Sequence, residues 1–263
     1  MAKTIGIMSL KGGVGKTSIV AGLGSALAEL GKKVLLIDAN FSAPNLGIHF
    51  NLIEPEVAIQ HVLGRKSNIS DAIYNVGGLD IMPAEIFSKL NFSPMRLRER
   101  INPLKRKYDI ILIDSSPTMS EESVATFLAA DEIFFVTTPD HSTLSNTLKF
   151  IKEANERGTP IDGLILNQVH DKSFEIPLSD IESATNYPVL AVLPFDIDVK
   201  EAQSKFIPST KHKPNSKGSK ELKKLAATIV GQKVPGFDWR VFFKLAPKRQ
   251  DVNREVFYQR VFG

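Results

Sequence analysis

The residues with the most specific chemistry lie close to the start of the chain: Lys11-Gly12-Gly13-Val14-Gly15-Lys16-Thr17-Ser18. This run follows an apolar strand candidate, Thr4–Ser9, and opens a helical pattern. A phosphate-binding loop requires that strand–loop–helix setting. Glycines let the backbone curl until successive N–H groups converge on phosphate oxygens, and the N-terminus of the next helix adds partial positive charge. On this reading Lys16 neutralises the β and γ phosphates, Thr17 places its hydroxyl on Mg²⁺, and Ser18 reaches the α phosphate. The general pattern has Gly at position 10, where this chain has Leu10. A second signal is Asp114, which closes the apolar strand candidate Tyr108-Asp109-Ile110-Ile111-Leu112-Ile113-Asp114. A carboxylate at the tip of a buried strand beside such a loop is placed to hold Mg²⁺ through water. Taken alone, the same Asp is an ordinary turn former.

Other reactive groups are excluded or silent. The chain has no Cys, which rules out disulfides, iron–sulfur ligation, thiolate zinc sites and cysteine nucleophiles and fits a reducing compartment. The five histidines (His49, His61, His141, His170, His212) show no metal-ligand spacing and read as satisfied or solvent-exposed. Ser115, Ser116 and Ser120 lie near the strand end, but no His stands in a pattern for nucleophilic catalysis. The opening residues are too short an apolar run for a signal peptide, and no stretch reaches the roughly 18 apolar residues of a membrane span. The expected location is therefore cytoplasmic, and the Asn-x-Ser sequons at Asn40, Asn68 and Asn91 are incidental.

The elements that must position the loop follow from patterning. With 263 residues, 43% hydrophobic and 24% charged, the chain has ordinary globular composition. Strands are expected at Thr4–Ser9, Val34–Asp38, Leu79–Pro83, Asp109–Asp114, Glu132–Thr138, Gly163–Gln168 and Val189–Pro194. Helices are expected at Lys16–Leu30, Pro94–Lys105, Ser120–Ala129, Ser142–Arg157, Pro177–Ala184, Val199–Lys205 and Gly218–Gly231. Several strands are apolar almost throughout, as in sheets covered on both faces. The alternation predicts an α/β, doubly wound, mostly parallel sheet flanked by helices. It ends near Gly231, so residues 1–232 read as one nucleotide-binding domain and 233–263 as a C-terminal tail.

Charge is uneven. Residues 1–204 carry 19 basic and 25 acidic side chains, whereas residues 205–263 carry 14 and 4, so a body of −6 bears a terminal fifth of +10. Seven lysines (205, 211, 213, 217, 220, 223, 224) fall within residues 205–224, with Leu222, Leu225 and Ile229 at helical spacing. They read either as the wet face of a packed helix or as a patch for DNA or anionic lipid. The tail begins with a Pro235-Gly236 break and holds two aromatic pieces, Phe237–Leu245 and Asn253–Phe262, separated by Pro247. On a helical wheel Phe257, Tyr258, Val261 and Phe262 cluster on one side, with Arg254 and Val256 off-pattern. Short, basic, aromatic and amphipathic describes an interfacial membrane segment; folding back on the domain and pairing in an oligomer are the alternatives.

The phosphate loop with a second lysine, Lys11, resembles the deviant Walker A ATPases of the MinD and ParA group, archaeal-type MinD-like proteins above all. Further segments are similar: Val34–Leu46 (VLLIDANFSAPNL), Tyr108–Pro117 (YDIILIDSSP), Ile165-Leu166-Asn167 and Leu193–Pro208 (LPFDIDVKEAQSKFIP). The resemblance implies two subunits enclosing two ATPs, with Lys11 of each reaching the partner's nucleotide. It also implies that Asp38 supports the Mg²⁺ sphere and that Asn167, Pro194, Phe195 and Asp196 frame the base. ATP and Mg²⁺ are the implied cofactors. The implied partners are a second copy of the chain, an activating protein and, through a C-terminal helix, the inner face of the cell membrane. One departure stands out. The family's switch motif is Asp-x-Asp, and here it is Asp38-Ala39-Asn40. Asn can hydrogen-bond the attacking water but cannot take its proton, so slow or partner-dependent hydrolysis is expected. The readings are a MinD-like positioning ATPase, a ParA-like DNA-partitioning ATPase, or a nucleotide-sensing adaptor. An iron–sulfur assembly role is set aside for want of Cys.

Overall fold

The computed structural model describes residues 1–232 and 247–263. Eight strands form one sheet: β1 Lys3–Met8, β2 Val34–Ala39, β3 Tyr74–Val76, β4 Leu79–Met82, β5 Ile110–Ser115, β6 Glu132–Thr137, β7 Ile161–Val169 and β8 Val189–Pro194. Their order is β3-β4-β2-β5-β1-β6-β7-β8, parallel throughout except for β3, which pairs antiparallel with β4. Ten helices accompany them among the described residues: α1 Lys16–Glu29, α2 Ile59–Leu63, α3 Leu97–Ile101, α4 Glu121–Ala129, α5 His141–Glu156, α6 Leu178–Thr185, α7 Ile197–Ser204, α8 Ser209–His212, α9 Lys217–Ile229 and α10 Arg249–Phe262.

The sheet is covered on both faces because its central strands alternate between two apolar sets. Val34 and Leu36 of β2 and Ile110 and Leu112 of β5 join Leu23, Leu27, Leu222, Leu225 and Phe257 in one core. Leu35, Ile37, Ile111 and Ile113 face the other way, toward Ile59, Leu97 and Ala125. The patterned segments form the expected elements except one, and the short helices α2 and α8 and one strand lie outside every expected element. The span Pro94–Lys105 is only one short helix, α3, flanked by 3-10 turns at Pro94–Arg96 and Asn102–Arg106. Pro103 has no N–H to donate and its ring crowds the preceding turn, so the α-helix cannot continue. Strand β3 lies outside every expected strand; it is three residues long, and the Gly77-Gly78 turn, both at positive φ, folds it onto β4.

The C-terminal helix folds back. Phe257 of α10 is buried and its ring meets Phe134 of β6 at 6.4 Å. Arg254 is only 4% exposed. Its guanidinium donates to the Leu190 carbonyl at 2.6 Å and to Glu221 at 2.8 Å, and it also bonds Asp251. Asn253 donates to Glu182 and to the Val189 carbonyl, Arg249 pairs with Glu182, and Arg260 pairs with Asp162 at 2.9 Å. The wheel thus finds the buried Phe257, and Arg254, off-pattern on the wheel, lies in the docked face because carboxylates wait beneath it. The other aromatic piece, Phe237–Leu245, lies outside the described residues.

Candidate functional site

Strand β1 ends at the loop, and α1 begins at Lys16. Gly13 and Gly15 take φ of 80° and 90°, a region other residues avoid. A Cβ on Gly15 would stand 2.4 Å from Asn167 Nδ2, so the position needs glycine on two counts. The loop is tied to the end of β7: Asn167 Nδ2 donates to the Val14 carbonyl at 2.7 Å and Gln168 Nε2 to the Gly13 carbonyl at 2.8 Å. A cavity of about 450 Å³ opens above it. It brings together Gly12, Gly13, Gly15, Lys16, Thr17, Ser18, Asn40, Asn167, Pro194, Phe195 and Asp196, the sequence-derived candidates, with Asn45, His49, Lys200 and Gln203 added.

Behind the loop sit the two acids. Adjacent strands put Asp38 and Asp114 in register, and both are buried. Thr17 Oγ1 donates to Asp114 Oδ2 at 2.6 Å; Asp114 Oδ1 is buried and has no partner among the described residues. Burial pushes the Asp114 carboxyl up, against the pull of Lys16 and the Thr17 hydroxyl. Burial and then the Asp114 charge push Asp38 up as well, opposed by N–H groups of Leu46, Asn40 and Asn45. Those groups lie 3.0–3.1 Å from its oxygens. Burial lowers the Lys16 ammonium, while Asp114 and Asp38 resist the change. A threonine hydroxyl bonded to a carboxylate whose second oxygen lacks a partner, beside another acid, is a hard-oxygen donor set that fits Mg²⁺. Among the described residues no cluster of three or more His, Cys, Asp or Glu forms a metal site.

Three candidates take positions the sequence did not specify. Lys11 does not line the cavity; its ammonium meets Thr143 Oγ1 at 2.8 Å and Asp140 Oδ1 at 3.4 Å. Asp140 caps α5 through the Thr143 N–H. Although burial opposes it, hydroxyls of Thr138 and Thr143, that N–H and Lys11 hold the Asp140 carboxyl down at about 2. Val14 has its side chain in the core and offers only its backbone. Asn167 spends its amide on the loop. The phosphate loop and the base-framing candidates therefore share one wall, and Lys11 stands outside it.

Comparisons with known proteins bear on the fold and the family. A family model described as AAA domain matches residues 2–162. An ATP-binding protein of Methanocaldococcus jannaschii is 34% identical over 236 residues, 89% of each chain. The septum site-determining protein MinD of Thermotoga maritima is 31% identical, covering 89% of this chain and 90% of its own. The cell division ATPase MinD of Pyrococcus furiosus superposes with a TM-score of 0.83 at 35% identity, covering 88% of this chain and 99% of that one. The chain belongs to the MinD/ParA family of P-loop ATPases. Another family structure, MinD of Pyrococcus horikoshii complexed with Mg-ADP, has a TM-score of 0.83 at 33% identity, over 87% of this chain and 96% of its own.

Sequence reasoning missed the loop ties from Gln168, the Asp140–Thr143 seat for Lys11, and His49. Only the Asp140-x-x-Thr143 spacing carried a signal, that of a helix cap. The lysine run also resolves. Lys205 pairs with Glu201, Lys213 with Asp198, Lys223 with Glu29 and Lys224 with Asp251, and Lys211 donates to the Gly77 carbonyl. Among the described residues only Lys217 and Lys220 of the seven lack such a contact. No helix among the described residues is long and apolar enough to cross a membrane.

Proposed function

We propose that this protein is an ATP-dependent dimerisation switch of the MinD type, hydrolysing ATP slowly with Mg²⁺. The observation that carries this is the placement of Lys11: an ammonium beside the phosphate loop yet outside its own cavity suits a cation that serves a second copy's nucleotide. Lys16 and the loop N–H groups would grip the triphosphate, and Thr17, Asp38 and Asp114 would hold Mg²⁺, which supplies charge neutralisation at the phosphates. Asn40 orients water without accepting its proton, so hydrolysis is slow until a partner protein assists. Asn167, Pro194, Phe195 and Asp196 would frame the base. Molar mass by light scattering tests the reading: ATP doubles it, ADP does not, and Lys11→Ala stays monomeric while still binding nucleotide. Lys16→Ala with undiminished nucleotide affinity would sink the site itself.

Kinship with septum site-determining proteins favours action in positioning, at the cytoplasmic face of a membrane. Phe257 is engaged by the domain; the exposed Val256, Val261 and Phe262 of α10 and the segment Phe237–Leu245, which lies outside the described residues, are the parts of the tail left for this reading. Sedimentation with anionic liposomes, with and without ATP, tests this; the paired lysines make salt-sensitive DNA binding the less favoured outcome.

A further inference from the structure

One residue of the cavity wall is unlike its neighbours. His49 lies in the 3-10 turn Gly47–Phe50 between Leu46 and Phe50, both buried in the apolar core. It is itself 6% exposed and lines the cavity. Its backbone N–H donates to the Leu46 carbonyl, but its ring makes no hydrogen bond among the described residues. Burial holds its pKa down to about 4, so at neutral pH the ring is uncharged, with one N–H to donate and one nitrogen to accept. A buried polar ring costs free energy unless bonded. One that opens on a ligand cavity has its partner supplied from that cavity.

The turn's anchorage says which end of the ligand that is. Asn45 and Leu46, which lead into it, donate their N–H groups to Asp38. Asp38 stands beside Asp114, and Asp114 beside Thr17 of the phosphate loop. His49 thus follows, within one 3-10 turn, the residues that Asp38 holds beside the phosphate loop, and the same turn also packs against α7. Asn167, Pro194 and Asp196 belong to other elements, at the ends of β7 and β8.

We propose that His49 is a specificity-determining residue that donates its ring N–H to a terminal-phosphate oxygen of a nucleoside triphosphate, and so separates triphosphate from diphosphate. The proposal rests on the nucleotide site proposed above and adds a discriminating contact to it. The bond is charge-assisted, so its loss is expected to weaken binding roughly 10- to 100-fold. The diphosphate lacks that oxygen and is indifferent to the ring.

The test is calorimetric titration of the full chain with Mg-AMP-PNP and Mg-ADP, for the natural protein, His49→Phe and His49→Gln. The expected result is weaker AMP-PNP binding by His49→Phe in that range, ADP affinity within about twofold, and recovery of most of the loss by His49→Gln, which keeps a donor. Should the Phe variant fail to fold, ring NMR signals of labelled His49 in the natural protein decide: AMP-PNP shifts them and ADP leaves them in place. Equal weakening for both nucleotides, no weakening, or identical ring shifts with both would overturn the assignment while leaving the nucleotide site intact. Failure of the natural protein to bind either nucleotide would overturn the site, and this contact with it.

Discussion

The docking of α10 can be tested at one side chain. Arg254→Met keeps most of the buried stem but removes the guanidinium. The Leu190 carbonyl loses its donor, and Glu221, itself 8% exposed, keeps only Lys224 at 3.5 Å among the described residues. Breaking a buried pair from one side costs about 3–5 kcal/mol, because the remaining charge is uncompensated. Lys224 moderates this, so a loss near ~3 kcal/mol is expected. That is a large share of the ~5–15 kcal/mol by which domains are stable, and at an m value of about 3 kcal/mol/M it moves the urea midpoint down by roughly 1 M. If instead α10 lets go while the sheet stays folded, the midpoint moves less and limited proteolysis cuts near residue 247. Adding Glu221→Leu should return at least half of the loss, since an apolar replacement of the whole pair is often neutral. A single variant that loses under ~1 kcal/mol and keeps α10 protected from protease refutes the claim that charge holds the helix.

Gly15→Ala is expected to abolish nucleotide binding in a fluorescence titration, because its backbone sits at φ 90° and the new methyl strikes the Asn167 amide; near-natural affinity refutes the loop geometry. Asn40→Asp removes the Nδ2 that donates to the Ala43 carbonyl at 2.5 Å and puts a proton acceptor beside the water, so phosphate release should rise by about tenfold or more. An unchanged rate refutes the role given to position 40. Glu132 is pushed up to about 8 by burial and by its bond to Asp162, against Lys3. The folded state therefore holds a proton that the unfolded state gives up, the associated stability is present below about 4.5 and is lost as pH rises through about 8. Glu132→Gln should flatten that slope in melts run from pH 5 to 9, and an unaltered slope assigns it elsewhere. Reversing the two lysines of the run that lack partners among the described residues, Lys217→Glu with Lys220→Glu, should leave retention on DNA unchanged at low salt; a large loss would restore a phosphate-contact role.

What the sequence revealed and what it hid have physical causes. Strands such as Ile110–Ser115 announce themselves because both faces are covered and nearly every residue is apolar. The phosphate loop is legible because its glycines and lysines are local in sequence. Contacts made across the fold are not: Lys11 to Asp140 spans 129 positions and Asn167 to Val14 spans 153, and no periodicity encodes either. Arg254 was hidden for another reason. Helical patterning counts an arginine as a wet residue, and its burial depends on Glu221, 33 positions away. His49 sits three residues beyond the family-like stretch Val34–Leu46, and no metal-ligand spacing marks a histidine that faces a cavity alone.

The electrostatics of the site also explain how nucleotide state can reach the surface without a long chain of contacts. Two buried carboxylates and one buried ammonium are each shifted toward neutrality by the cost of burying charge. On the proposed site, a divalent cation and a polyanion arriving together would change that balance at Asp38, and three backbone N–H groups of residues 40–46 hang directly on that carboxylate. The same segment reaches the next element through Ser42, whose hydroxyl donates to Glu122 in the first turn of α4 at 3.0 Å. A movement of Asp38 is therefore a movement of the switch segment, of the turn that carries His49, and of the start of α4. On the function proposed above, that chain of bonds would form a two-element device biased by ligand charge, and it transmits only while these bonds persist.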